Sequence, residues 1–191
     1  MRKVFVATGV NANAIPTAFK SRDLEINKKE YIAPICALLD ANVSAGDDVL
    51  VLINTPKSDW EKNTYTLTRR EVKDILAAHN AKGELVAVGE EGYEADALTH
   101  SVFMKGVSNL LQEGDVLYAD VTFGKRGDAV ALLVAANYAQ HALQDFRVST
   151  AIYASPEIVD ISALFHLLAI TGAAKEGEKP KMDKFLDFLI I

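Results

Sequence analysis

Few of the usual functional signatures occur in this chain of 191 residues. It has one cysteine, Cys36, inside the apolar stretch YIAPICALLDA, so no internal disulfide can form and a small buried hydrophobe is expected there. A nucleophile at that position would need a histidine or a helix N-terminus beside it. The four histidines, His79, His100, His141 and His166, stand at no metal-ligand spacing with one another or with Cys36, so no metal site is expected. His141 and His166 fall in apolar helical patterns and read as structural. Positive charge is scarce: 20 lysines and arginines stand against 26 acidic residues, a net charge of −6, which argues against a broad basic surface for duplex DNA or RNA. No apolar run nears the roughly 20 residues of a membrane-spanning helix. The opening MRKVFVATG is too short for a signal peptide and reads as a strand. A cytoplasmic protein with no membrane partner is expected. Glycine-rich nucleotide loops are missing too. TGVNANA has one glycine where a dinucleotide fingerprint needs three, and a P-loop through Gly124 and Lys125 would need glycine and Ser/Thr where Ala119 and Arg126 stand. NAD or ATP in the usual mode is disfavoured, and no cofactor is expected.

What is present is a regular alternation. Half the residues are hydrophobic and 24% are charged, the balance of a packed globular domain. KVFVAT (3–8), VLVLINT (49–55), ELVAVGE (84–90), DVLYADVT (115–122) and FRVSTAIYA (146–154) are short apolar runs that read as strands. Between them lie helical patterns: one from Pro34 to about Asn42, one through TLTRREVKDILAAHNAKG, and a third through EADALTHSVFMKGVSNLLQEG. Thr68 with Glu71 fits a capping box for the second and Gly83 its C-cap, while Gly114 closes the third. GDAVALLVAANYAQHALQ is apolar nearly all round and is expected to be buried on two sides. DISALFHLLAITGAA, capped by Asp160 or Ser162, is a further helix. Residues 17–31 are polar and irregular, with room for a small hairpin. Strands without polar alternation, separated by helices, imply a parallel sheet covered on both faces. The expected fold is therefore α/β: a Rossmann-like three-layer sandwich over 1–174, followed by a polar hinge and a short apolar-faced helix, MDKFLDFLII, within 175–191.

In such sheets ligands bind beyond the carboxyl ends of the strands. The loops TGVNANA, NTPKSDW and DVTFGKRGD all fall there and are rich in small and polar residues. Lys125 and Arg126 stand where the helix after the fourth strand begins. Cations there oppose the helix dipole, so a bound anion is the expected compensation, with plain solvation as the alternative. Asp120 at the strand end is either a general base or a cap that orients the loop. Trp60 and Tyr65 either stack on a base or anchor their loop. The acidic stretch GEEGYEAD reads as a solvated loop leading into a helix.

DVTFGKRGDAVALLVAANY followed by VSTAIYASPEIVDISALFHLLAI resembles the CARF family, the CRISPR-associated Rossmann-fold sensor domains. Asp120, Thr122, Gly124 and Arg126 match the family's Asp-x-Thr-His-Gly-x-Arg segment. Asp160, Leu164, Phe165 and Leu167 match its later strand-to-helix motif, and the ATG at 7–9 fits its first loop. Phe123 replaces the family's histidine and offers an adenine a stacking face instead. The resemblance implies a two-fold homodimer that binds a cyclic oligoadenylate, of four or six nucleotides, across its axis in type III CRISPR antiviral signalling. It further implies that Thr8, Gly9, Val10, Asn11, Asn13, Thr55, Asp120, Thr122, Phe123, Gly124, Lys125 and Arg126 line the ligand site. The backbone N–H groups of 9–13 and 122–126 would meet phosphates.

Two functions follow from the resemblance. One is a stand-alone ring nuclease in which the ribose 2′-hydroxyl attacks the adjacent phosphorus without need of a metal. Lys125 or Arg126 would stabilise the phosphorane, and Thr8, Asn11 and Asn13 would position the ribose; Lys125, Arg126 and Asn11 are thus the expected catalytic set. The other is a non-catalytic sensor domain of a larger effector, with MDKFLDFLII docking an output domain. An Arg-x4–6-His ribonuclease motif is missing, since the next histidine after Arg70 is His79. An unrelated Rossmann-like nucleotide-binding protein or hydrolase is the remaining alternative.

Overall fold

The computed structural model of the chain describes residues 1–55, 59, 62–89, 97–155 and 157–173. Trp60, most of the GEEGYEAD stretch, and the expected hinge and terminal helix at 175–191 lie outside the described residues. In chain order the elements are β1 (Arg2–Ala7), β2 (Thr17–Ala18), β3 (Glu30–Tyr31), α1 (Pro34–Asn42), β4 (Asp48–Ile53), α2 (Asn63–Ala78), β5 (Lys82–Ala87), α3 (Ala97–Leu110), β6 (Val116–Asp120), α4 (Arg126–Ala142), β7 (Arg147–Ala154), β8 (Ile158–Asp160) and α5 (Ser162–Ala173).

Five strands pair in parallel in the order β5-β4-β1-β6-β7, and β8 adds antiparallel to the outer edge of β7. The expected Rossmann-like three-layer sandwich is thus the observed fold. Period-two alternation explains why the strands read as unbroken apolar runs. Phe5, Ala7, Val49, Val51, Ile53, Val116 and Tyr118 bury against α1 and α2. Val4, Val6, Leu50, Leu52, Leu117 and Ala119 bury against α3, α4 and α5. The chain winds outward from β1 to β4 and β5, then returns to the other side of β1 as β6. The strand order reverses between β1 and β6, and the carboxyl ends at such a switch point are where sheets of this kind take ligands.

Local boundaries depart from expectation in instructive places. Thr68 does not cap α2: the helix begins at Asn63, and the buried Thr68 hydroxyl donates to the carbonyl of Thr64 at 2.9 Å. Its expected partner Glu71 instead accepts the Ile32 amide at 2.8 Å. Gly83 lies inside β5, where a side chain would meet the Val49 carbonyl oxygen at 2.6 Å. Asn80, at φ +52, takes the left-handed position after α2, and the Ala81 amide bonds back to Leu76 at 2.9 Å, so the cap is a Schellman motif built on asparagine. Gly114 serves the turn into β6, four residues after α3 has ended. Only one side of α4 is buried, by Ala131, Leu132, Ala135, Ala136 and Ala139; its apolar residues Val130, Val134 and Tyr138 are exposed along one stripe. β8, hidden in SPEIVD, forms because β7 offers it a ladder and the 17–31 excursion covers it. That excursion carries the small antiparallel β2–β3 pair, and the Ile158 amide donates to Lys20 at 2.7 Å. An exposed sheet edge is closed in this way.

Candidate functional site

At the switch point the loops after β1 and β6 lie backbone against backbone. The Thr8 amide continues the ladder to the Asp120 carbonyl at 3.0 Å, and the Thr8 hydroxyl donates to the Phe123 carbonyl at 2.5 Å. Gly9 and Gly124 face one another: a methyl group on Gly9 would lie 2.8 Å from the Gly124 nitrogen. Gly124 adopts φ +104, open to glycine and strained for other residues. The turn is held from its other side by Thr122, whose amide donates to Asp120 Oδ1 and whose hydroxyl accepts the Ala154 amide, both at 2.9 Å. The turn then delivers Lys125 as the N-cap of α4 and Arg126 as its first residue. Lys125 is half-buried and Arg126 exposed. Asp128, in the same first turn, accepts the Lys125 amide at 3.0 Å and restores the negative charge a helix N-terminus favours.

The expected site residues separate into two groups. Gly9, Thr8, Asp120, Thr122, Phe123, Gly124, Lys125 and Arg126 converge at the switch point. Thr8 and Asp120 are 1% exposed, so their side chains act on the loops rather than on the outside. Val10 packs into the core under α2. Asn11 and Asn13 are at the rim, where Asn11 Oδ1 accepts the Asn13 amide at 3.0 Å and Thr64 of α2 ties the loop through the Ala12 carbonyl at 2.9 Å. Thr55 is fully buried at the end of β4, its carbonyl accepting the Gly89 amide at 3.1 Å. Tyr65 is partly buried against the α1–α2 core, a loop-side anchor.

Asp120 resolves its two expected roles by geometry. Its carboxyl is fully enclosed, with Oδ2 unpartnered among the described residues, and burial pushes its pKa from 3.8 to about 6 despite the Thr122 bond. It orients the 121–125 turn. Because the folded-state value is raised, the protonated form is favoured on folding, and the associated stability is full below about pH 4 and lost as pH rises through 6. Between those limits the loss is about 3 kcal/mol, from a shift of about two units at 1.36 kcal/mol each. Asp120→Asn, which keeps an oxygen for Thr122, should abolish that part of the slope. Urea denaturation of both proteins at pH 4 and pH 7 measures it; parallel slopes would contradict the assignment.

One constellation escaped the sequence reading. His100, in the first turn of α3, places Nδ1 2.7 Å from Asp128 Oδ1. Asp128 has no exposed surface, while the His100 side chain is 26% exposed. The imidazole lies flat over Gly127, where an added methyl group would come within 2.6 Å of Cδ2 and closer still to Nε2. One carboxylate therefore caps α4 with one oxygen and orients a histidine with the other. The faint sequence signal was Gly127 between a cation pair and an acid, at a helix start that the fold sets beside another helix start. No group of metal-ligating side chains occurs among the described residues. A scan against protein-family models gives no match, and a search of curated proteins gives none. Among the described residues, no helix is long and apolar enough to cross a membrane.

Proposed function

We propose that the chain acts in the cytoplasm as a homodimer that binds a cyclic oligoadenylate of four or six nucleotides and opens the ring as a nuclease in type III CRISPR defence. One observation carries the reading: the glycine-clamped turn at the switch point presents Lys125 and Arg126 at the N-terminus of α4, where the helix dipole attracts phosphate. The resemblance of this segment to the CARF motif narrows the anion to a phosphodiester ring. The exposed stripe Val130, Val134 and Tyr138 supports the dimer, because it starts one helical turn beyond Arg126. Two α4 helices related by a two-fold axis along that stripe bring both Lys125–Arg126 pairs to one cleft, and such an axis matches the symmetry of a cyclic ligand.

The cleavage is a transesterification. The ribose 2′-oxygen bonds to phosphorus as the bond to the 5′-oxygen breaks, leaving a 2′,3′-cyclic phosphate; the cations hold the added charge and the loops hold the in-line geometry. A sensor without turnover is the second reading, favoured by the sealing of Asp120, which removes one base from the reach of a ligand. Incubation with labelled cyclic tetra- and hexa-adenylate separates them. Linear products ending in cyclic phosphate support the nuclease, binding without products supports the sensor, and binding of neither ring, or a protein that stays monomeric with ligand, ends both. Lys125→Ala should weaken ring binding or turnover at least about tenfold, the worth of one charge-assisted phosphate contact. Lys73→Ala, on the exposed face of α2, should leave both unchanged; equal losses would move the site elsewhere.

A further inference from the structure

We infer that His100, oriented by Asp128, is the general base of this site, taking the proton of the attacking hydroxyl on Nε2; the inference rests on the ring-cleaving reading above. An imidazole nitrogen 2.7 Å from a carboxylate oxygen carries its hydrogen toward that oxygen, so in the neutral ring Nδ1 is the donor and Nε2 holds the lone pair. Nε2 has no hydrogen-bond partner among the described residues. The ring keeps a quarter of its surface open, so it is positioned but not sealed, unlike Asp120. A fully buried carboxylate behind a partly exposed histidine is the arrangement that fixes ring orientation and stabilises the imidazolium once the proton arrives.

Placement supports the same role. The ring lies on Gly127, the residue next to Arg126, so the base from α3 sits against the first turn of α4, which carries the cation pair. Gly127 is the residue that lets the ring approach this closely, and any side chain there would displace it.

The step balances without a co-reactant. The 2′-hydroxyl gives its proton to Nε2 as its oxygen bonds to phosphorus; the bond to the 5′-oxygen breaks; the proton then passes from Nε2 to that departing oxygen. No water is consumed, and the product is an isomer of the substrate. Proton transfer of this kind contributes on the order of 10²–10⁴ in rate.

The experiment uses the full chain with cyclic tetra- and hexa-adenylate. It measures ring affinity by calorimetry and single-turnover cleavage for wild type, His100→Ala, His100→Gln and Gly127→Ala. His100→Ala and His100→Gln should lose about a hundredfold or more in cleavage rate while ring affinity stays within about threefold. Added imidazole should restore part of the rate to His100→Ala and none to His100→Gln, whose side chain fills the space. Gly127→Ala, with the histidine intact but displaced, should lose rate in the same way. A wild type that cleaves while His100→Ala cleaves equally well overturns the inference and leaves the ring-nuclease reading standing. A wild type that binds the ring without cleaving it overturns the inference and leaves only the sensor. A wild type that binds neither ring overturns the reading and the inference together.

Discussion

Gly124→Ala should destabilise the protein by about 4 kcal/mol and abolish ring binding, the largest effect expected of an added methyl group among the described glycines at positive φ. Two costs meet at this residue. At φ +104 a Cβ is strained, on the order of 1–2 kcal/mol for the left-handed region. The new methyl would also lie 2.8 Å from the Thr8 carbonyl carbon and closer still to its oxygen, so the two loops must separate. Forced overpacking of that kind costs about 1–3 kcal/mol, and the Thr8–Phe123 hydrogen bond goes with it. Two other glycines isolate the parts. Gly46 has φ +84 with nothing within 4 Å, so Gly46→Ala carries the strain alone and should cost about 1 kcal/mol. Gly9 has the close approach without the positive φ, so Gly9→Ala carries the clash alone, about 2 kcal/mol. Urea denaturation of the three variants measures the series. If Gly124→Ala costs no more than Gly46→Ala, the close approach of the two loops is not what holds them in place.

The parts of this molecule that sequence reveals are those encoded over short distances. Short apolar runs marked the five parallel strands; β1, β4 and β6 are buried on both faces and show little polar alternation, whereas β5, exposed to half-buried along its length, and β7 carry weaker patterns. Their parallel pairing followed from strand–helix alternation, and the glycines and cations of 122–126 stood out against an acidic chain. What was illegible depends on partners far along the chain. The start of α2 is rich in threonine, a poor helix former, yet Thr64 and Thr68 spend their hydroxyls on the carbonyls of Ala12 and Thr64, so tertiary and local bonds override propensity. β8 has three residues and exists only because β7 and the 17–31 excursion receive it. The stripe Val130, Val134, Tyr138 looked like core because apolarity alone does not say which side of a helix meets the sheet. His100 and Asp128 are 28 residues apart, and neither is unusual until the fold puts two helix starts side by side.

Asp40→Ala should cost about 3 kcal/mol, and the reason is hydrogen bonding more than charge. Asp40 is 5% exposed at the inner face of α1. Its Oδ2 accepts from the Asn27 amide at 2.5 Å and the Tyr31 hydroxyl at 2.7 Å, with Lys29 Nζ at 3.2 Å, and Oδ1 meets His79 Nε2 at 3.0 Å. One carboxylate thereby fastens the 17–31 excursion, through Asn27 and Tyr31, to the C-cap of α2. Burial alone would raise its pKa; the bonds from Asn27, Tyr31, His79 and Lys29 outweigh burial and lower it from 3.8 to about 2. A lowered value means that the carboxylate's stabilisation is full above about pH 4 and is lost as pH falls toward 2. Removing the acceptor leaves the fully buried Tyr31 hydroxyl unsatisfied, at about 1–3 kcal/mol, while exposed Asn27 recovers water and loses only its bond to the carboxylate, about 1 kcal/mol. Lys29 is half exposed and recovers water, so Lys29→Ala should cost under about 1 kcal/mol. Hydrogen exchange supplies the local readout: in Asp40→Ala the amides near Tyr31 and Ile32 should lose protection before those of β1 and β6. Equal costs for Asp40→Ala and Lys29→Ala would mean that the ion pair, not the buried acceptor, holds the excursion in place.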